Sequence, residues 1–247
     1  MRIGIMQGRL LPPEPDRFQA FPRTRWREEF ALARAAGLQS IEWLYDVYGE
    51  DVNPIVTGES IPAEVVSLCA DYFMERPLSP AELAWLLERC RLTGIERVVL
   101  PFVDASHIQS PDPIVEILRG VSSEVEIHLE TDLAPKPFAA LLNALPSPKI
   151  KVAYDSGNSA SLGYSPVEEF AAYGDRVGSI HIKDRLLNGG TVPLGTGAAN
   201  FAALFRCVKQ VRYQGDFVLQ TAREAPGDEL ALARRNLAWL QKVFAHL

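Results

Sequence analysis

SPAELAWLLERCRLTGIERVVLPFV, residues Ser79 to Val103, joins two structural periods end to end. From Ser79 to Gly94 the apolar side chains recur at spacings of three and four, the stripe of a helix with one buried side. Ser79 stands at the N-cap position, Pro80 at the first helical position and Gly94 after the last turn. Arg97 to Val103 then reads as a short β-rich run. The same unit recurs on both sides. Seven further β-rich runs are Arg2 to Gly8, Gln39 to Leu44, Val65 to Phe73, Glu124 to Thr131, Ile150 to Gly157, Val177 to Asp184 and Asp216 to Arg223. Helical patterns separate them. Thr24 to Gly37 closes on a C-cap glycine, and Ser165 to Gly174 carries Glu168 three residues after Ser165, the spacing of a capping box.

Eight strands alternating with helices over 247 residues predict parallel strands with helical crossovers, closed as a (β/α)8 barrel in one domain spanning residues 1–247. A doubly wound open sheet is the alternative. No Gly-x-Gly-x-x-Gly follows the first strand and no Walker sequence occurs, so that alternative lacks its usual support. The second unit is the least regular, and Tyr45 to Ile61, rich in Gly, Pro and acids, predicts a loop over the barrel mouth.

With 47% hydrophobic residues the chain can bury a substantial core. Its 25 basic and 31 acidic residues give a net charge of -6, the wrong sign for a protein that binds by neutralising phosphates, so no nucleic-acid partner is expected. Cys69, Cys90 and Cys207 are odd in number and widely spaced, which argues against a disulfide framework and for small core residues of a reduced compartment. The opening run MRIGIMQGRL is too short and too interrupted for a signal peptide or membrane anchor. A cytoplasmic protein with no membrane association is expected.

In such barrels function collects at the C-terminal strand ends, where the loops face the open mouth. Those ends carry Gln7, Glu42, Asp71, Glu130, Asp155, His181 and Gln220. Strand alternation puts Glu130 on one face with His128, His181 with Lys183, and Gln220 with Val218. If these faces point inward, two carboxylates, an imidazole and an amide oxygen converge. Carboxylates buried that close resist ionisation unless a positive charge lies between them, and a divalent cation supplies it. His128 should lie one layer deeper, as a satisfied core histidine. Trp26, Trp85 and Trp239 fall on helical faces and read as core.

Here the chain resembles the xylose-isomerase-like TIM barrels, which include sugar isomerases, sugar epimerases and type-IV apurinic endonucleases. YDSGNSASLGYSP resembles the family's sixth-strand motif, SIHIKDR its seventh-strand His-x-Lys-Asp motif, and PLGTGAANF the loop and helix start that follow. The resemblance implies Glu130, Asp155 and His181 as metal ligands, with Gln220 as a fourth through its amide oxygen. Two positions depart from the family: Gln220 stands where glutamate is common, and Asn158 where a histidine often follows the strand-six aspartate. Gln220 cannot act as a general base, and its lack of charge weakens the ligand set. Only four histidines are present, with His107 in a loop and His246 at the C-terminal end, too few for the multinuclear zinc site of the endonuclease branch. One histidine among oxygen ligands suits manganese, cobalt or magnesium better than a structural zinc, although zinc stays among the candidate ions.

The implied activity is that of a metal-dependent sugar or sugar-phosphate isomerase or epimerase working through an enediolate. The cation polarises the carbonyl and Glu130 is the first choice of base, with Lys183 as second choice or as the cation facing the developing oxyanion. A rim lysine paired with Asp184 is the structural alternative for Lys183. Because Gln220 removes the usual second acid/base group, aldose-ketose isomerisation is favoured over epimerisation. Substrate contacts are expected from Gln7, Arg9, Glu42, Trp43, Asp71, Tyr72 and Asn158, with Arg185 and Arg223 for a phosphate. Competing readings are a non-catalytic sugar-binding protein with a degenerate site, and a keto-sugar or glycoside lyase. Specificity is assigned to the loops Tyr45 to Ile61 and Phe73 to Leu78. The apolar C-terminal helix, Leu230 to Leu247, offers a surface for a homodimer.

Overall fold

In the computed structural model, which describes residues 2–102, 112–145 and 147–245, each β-rich run forms a strand of one closed barrel. His107 and His246 lie outside the described residues. The strands are β1 (Ile3–Met6), β2 (Ser40–Leu44), β3 (Val65–Cys69), β4 (Arg97–Phe102), β5 (Glu126–Thr131), β6 (Ile150–Asp155), β7 (Val177–Ile182) and β8 (Asp216–Leu219). Each pairs in parallel with its sequence neighbour, and β8 closes on β1 through Ile3–Phe217, Gly4–Val218 and Ile5–Leu219. This is a (β/α)8 TIM barrel. The open sheet is excluded by that closing ladder.

Alternation along the strands divides the side chains into two sets. Outward residues such as Ile5, Ile41, Trp43, Leu68, Leu100, Leu129, Ile180 and Leu219 join the large core between barrel and helices. Inward residues Met6, Leu44, Cys69, Val99, Ala153 and Val218 fill the barrel as a separate small apolar cluster. At the N-terminal end, Asp216 is gripped by Arg97 and by Arg2, whose Nη2 lies 3.0 Å away. The inward positions of β5 are Glu126, His128 and Glu130, which makes room for a polar layer above the apolar plug. All three cysteines are buried and free.

The helix signals hold at their strongest points. Ser79 Oγ accepts from the Glu82 backbone N–H at 3.2 Å and donates to Glu82 Oε2 at 2.6 Å, so Pro80–Thr93 begins on a serine N-cap whose hydroxyl is held by the Glu82 carboxylate. Gly94 ends it at φ 78°, a left-handed cap. Glu28–Ala36 ends likewise on Gly37 at φ 84°. The capping box at Ser165 does not form: Pro166–Tyr173 starts there without a side-chain cap, and Gly174 has φ -59° because it opens a 3-10 turn instead. Two segments expected as loops are partly helical. Asn53 caps Pro54–Thr57 by accepting from Ile55 N, after a 3-10 turn at Glu50–Val52, and Tyr72–Glu75 forms one helical turn.

Candidate metal centre and active site

Glu130 is the inward residue next to the end of β5, Asp155 ends β6 and His181 is the inward residue paired with Asp155 on β7. One ligand atom of each lies within 4.8 Å of the others. His181 Nδ1 stands 3.3 Å from Glu130 Oε2 and 3.9 Å from Asp155 Oδ2. The other ring nitrogen, Nε2, faces Glu42 Oε1 at 2.7 Å. With Nε2 donating to Glu42, Nδ1 offers its lone pair to the space between the two carboxylates. That is how a carboxylate sets the tautomer of a metal-binding histidine.

All four side chains are buried. Burial alone would drive the His181 imidazole toward its neutral form, but the charge of Glu42, its hydrogen bond to Nε2 and the nearby Glu130 carboxylate outweigh it and hold its pKa well above the ordinary value. Burial likewise opposes ionisation of Glu42, and the His181 charge reverses that and pulls its pKa down. The cluster therefore requires positive charge at its centre, from a proton or from a cation. His181 Nδ1 has no hydrogen-bond partner although it is fully buried, and Glu42 Oε2 is left unpaired in the same way. Two carboxylates and one orphaned imidazole nitrogen fit a divalent ion of the oxygen-preferring class.

Lys183 lies one strand period above His181 and does not pair with Asp184. Its ammonium meets Asp155 Oδ2 at 3.4 Å, Asn158 Oδ1 at 3.3 Å and Gln220 Oε1 at 3.4 Å. Asp184 is instead committed to the loop after β7, accepting from the backbone N–H groups of Gly195, Gly197 and Ala199. Asp155 Oδ1 accepts from Gly157 N and Asn158 N, both at 2.8 Å, so the start of Ser156–Ser161 fixes the carboxylate and leaves Oδ2 for the mouth. Asn158 does double duty: Nδ2 donates to Glu130 Oε1 at 2.8 Å while Oδ1 accepts from Lys183 and from Arg185 Nη1. His128 sits one layer deeper, between Ser179 Oγ and Glu126 Oε2.

Other expected contacts are placed differently. Trp43 points outward because its neighbour Glu42 points inward; it is fully buried against Phe21, Trp26 and Phe30, with Nε1 donating to Asn53. Tyr72 stacks on Tyr45 at 4.8 Å, and Tyr45 in turn meets Trp85, which places this aromatic group among the helices. Trp85 itself is 40% exposed rather than core. Gln7 is buried and ties β1 to β2 by accepting from Leu44 N. Glu42 holds His181 and is shut away from the mouth. Arg223 spends its donors on the carbonyl oxygens of Gly8, Leu11 and Phe18, and Arg185 donates to Gly189 O and Asn158, so both arginines expected at a phosphate are engaged in holding loops.

Three residues of the site carried no legible signal in the sequence. Gln19 reaches in from the segment after β1: its Oε1 accepts from Gln220 Nε2 and from Arg9 Nη2, both at 3.1 Å, and its Nε2 donates to Asp71 at 2.7 Å. Glu29 lies under the same segment and accepts from Gly8 N and Leu10 N. Asp132, two residues beyond Glu130, is half-buried, and burial with the charge of Glu130 pushes its carboxyl up to about 6. Asp71 is pushed up to about 6 as well, chiefly by burial, despite hydrogen bonds from Cys69 and Gln19.

The family model of the xylose isomerase-like TIM barrel matches residues 30–243. The chain belongs to that family. Among curated relatives, "Putative L-ribulose-5-phosphate 3-epimerase SgbU" of Haemophilus influenzae is 20% identical over 88% of this chain and 92% of its own. An L-ribulose 3-epimerase structure superposes with a TM-score of 0.70 at 16% identity, covering 99% of this chain and 95% of the other. A xylose isomerase-like TIM barrel protein from Mycobacterium smegmatis, in complex with magnesium, gives 0.65 at 15% identity, covering 99% and 97%. At these identities the structural likenesses establish the fold. Among the described residues no helix is long and apolar enough to cross a membrane.

Proposed function

We propose that the protein is a divalent-metal-dependent sugar or sugar-phosphate isomerase or epimerase that moves a proton at a carbon next to a carbonyl. The observation that carries this is the orphaned His181 Nδ1 between Glu130 and Asp155, its ring held from behind by Glu42. Glu130, Asp155 and His181, with the Gln220 amide oxygen, would hold the ion, and its contribution is Lewis-acid polarisation of the substrate carbonyl. The curated relative and the L-ribulose 3-epimerase support a sugar substrate by their names, and the magnesium complex supports an oxygen-preferring ion.

Glu130 is the base. Asn158 fixes one of its oxygens, so the other is presented in a set direction. Lys183 keeps its ammonium among Asp155, Asn158 and Gln220, where it can donate to an oxygen that gains negative charge. Gln220 cannot take up a proton on the opposite face, and Asp71 is the candidate in its place: it follows another strand end, and burial, with a smaller contribution from the Glu130 charge, pushes its carboxyl up to about 6. A second acid/base group restores epimerisation beside the isomerisation that Gln220 alone would favour.

Incubating a panel of ketoses and their phosphates with the metal-loaded protein in D2O tests this directly. The expected result is one solvent deuterium at the carbon next to the carbonyl, without a change of molecular formula in the sugar. An Asp71→Asn variant should still exchange that proton but lose inversion. Elimination products would assign a lyase instead, and binding without exchange across the panel would assign a sugar-binding protein.

A further inference from the structure

Arg9 is buried at 6% exposure, yet it forms no ion pair among the described residues. One guanidinium nitrogen, Nη2, donates to Gln19 Oε1; Nε and Nη1 are buried without any partner. The ring of Phe18 covers the guanidinium at 4.6 Å. A buried, unpaired guanidinium is among the costliest groups a fold can keep, and an apolar side chain of the same length would serve structure better. Burial and the neighbouring charge of Arg223 pull its pKa down to about 9, which records that cost. Arg223 gives all three of its donating nitrogens to backbone carbonyls of segment 8–21, so it adds positive charge beside Arg9 while holding that segment in place.

The position of Arg9 says what the free nitrogens are for. Gln19 Oε1, the one side-chain hydrogen-bond partner of Arg9 among the described residues, is the oxygen that also accepts from Gln220, and Gln220 contacts Lys183. Arg9 therefore stands at the barrel mouth, three hydrogen bonds from the Lys183 ammonium. We infer that Arg9 is the recognition residue for an oxyanion carried by the substrate, a phosphoryl or carboxylate group, which meets the guanidinium at the N–H groups that have no partner within the described residues. The inference rests on the barrel mouth being the substrate site, as proposed above. It moves the anion contact from Arg223, whose three nitrogens all donate to backbone carbonyls, and from Arg185, whose Nε and Nη1 hold Gly189 and Asn158, to Arg9, whose buried Nε and Nη1 have no partner among the described residues. Phe18, 57% exposed and stacked on the guanidinium, is the side chain that the ligand displaces on entry.

Two probes, inorganic phosphate and acetate, separate the two anion classes in thermal unfolding and calorimetric titration of the full-length protein. The natural chain should show a saturable rise in Tm with one or both: phosphate alone assigns a phosphoryl group, acetate alone a carboxylate, and either supports the inference. Arg9→Met should melt at a higher temperature than the natural chain without ligand and lose the saturable response. Arg9→Lys, which keeps the charge but replaces the guanidinium's separate N–H donors by one ammonium, should bind at least about tenfold more weakly. Should Arg9→Met fail to fold, the Arg9→Lys comparison decides alone. No response of the natural chain to either anion, or an equal response from the Arg9 variants, which would indicate adventitious ion binding only, overturns the inference. A Glu130→Gln protein separates the two proposals: it should keep the anion response while losing the metal, so failure of the metal site leaves Arg9 testable, and failure at Arg9 leaves the metal site standing.

Discussion

Glu42 shows how one residue governs another's chemistry. Its carboxylate fixes the His181 ring from the side away from the mouth, so Glu42→Ala should weaken metal binding by about 10- to 100-fold while Glu130 and Asp155 remain. Calorimetric titration with Mn2+ checks this; an unchanged affinity would mean that the ring is held by packing alone. Glu29 carries a pH prediction. Burial raises its carboxyl from the ordinary 4.5 to about 8, more than the Gly8 and Leu10 N–H groups lower it. The folded state thus holds a proton that the unfolded state releases near 4.5. Its contribution to stability is full below 4.5, declines as pH rises, and is lost once pH passes about 8. Glu29→Gln should flatten that decline, a relative gain of a few kcal/mol above pH 8 at about 1.4 kcal/mol per unit, measured by urea unfolding at pH 5 and pH 9. A parallel decline in both proteins would contradict it. The grouping of Glu130, Asp155 and His181 was legible because polar residues ended three successive apolar runs. Trp43 was misplaced because nearness to a strand end was given more weight than alternation, which sends it away from Glu42. Arg9 was visible as a polar loop residue, but its missing partners depend on contacts with Gln19 and Phe18 that no local pattern encodes.

At the scale of the element, caps that look alike in sequence differ in effect. Ser79 caps its helix by accepting from Glu82 N whereas Ser165, with Glu168 at the same spacing, makes no side-chain cap. Ser79→Ala should cost about 1 kcal/mol of stability and Ser165→Ala a few tenths at most, read from paired denaturation curves. Equal losses would show that the two serines act through something other than capping. The strand and helix periods were readable throughout, since burial on both faces and on one face leave different spacings. The short helices at Pro54–Thr57 and Tyr72–Glu75 were not, because a single turn of four residues is too brief for a period to repeat. Asn53 before Pro54 is the signal that could have found the first of them.

For the whole molecule, the barrel gathers Glu130, Asp155 and His181 from β5, β6 and β7 because successive parallel strands end side by side. The alternation of elements was enough to read the closed fold, and the charge of the mouth followed from it. What the sequence left open was how that charge is balanced, since Gln220 in place of an acid suggested a weakened site. The described structure balances it with Lys183 between Asp155 and Gln220 and with the proton that the buried His181 ring holds, its Nδ1 facing two carboxylates. The central claim is that this nitrogen binds a metal. Titrating the metal-stripped protein with Mn2+, Co2+, Mg2+ and Zn2+, beside Glu130→Gln and His181→Ala, tests it most directly. Near-stoichiometric binding that strengthens as pH rises, because the ion displaces the proton held on His181, and that both variants lose, is the predicted result. No binding by the natural protein, or binding that survives in both variants, would contradict it.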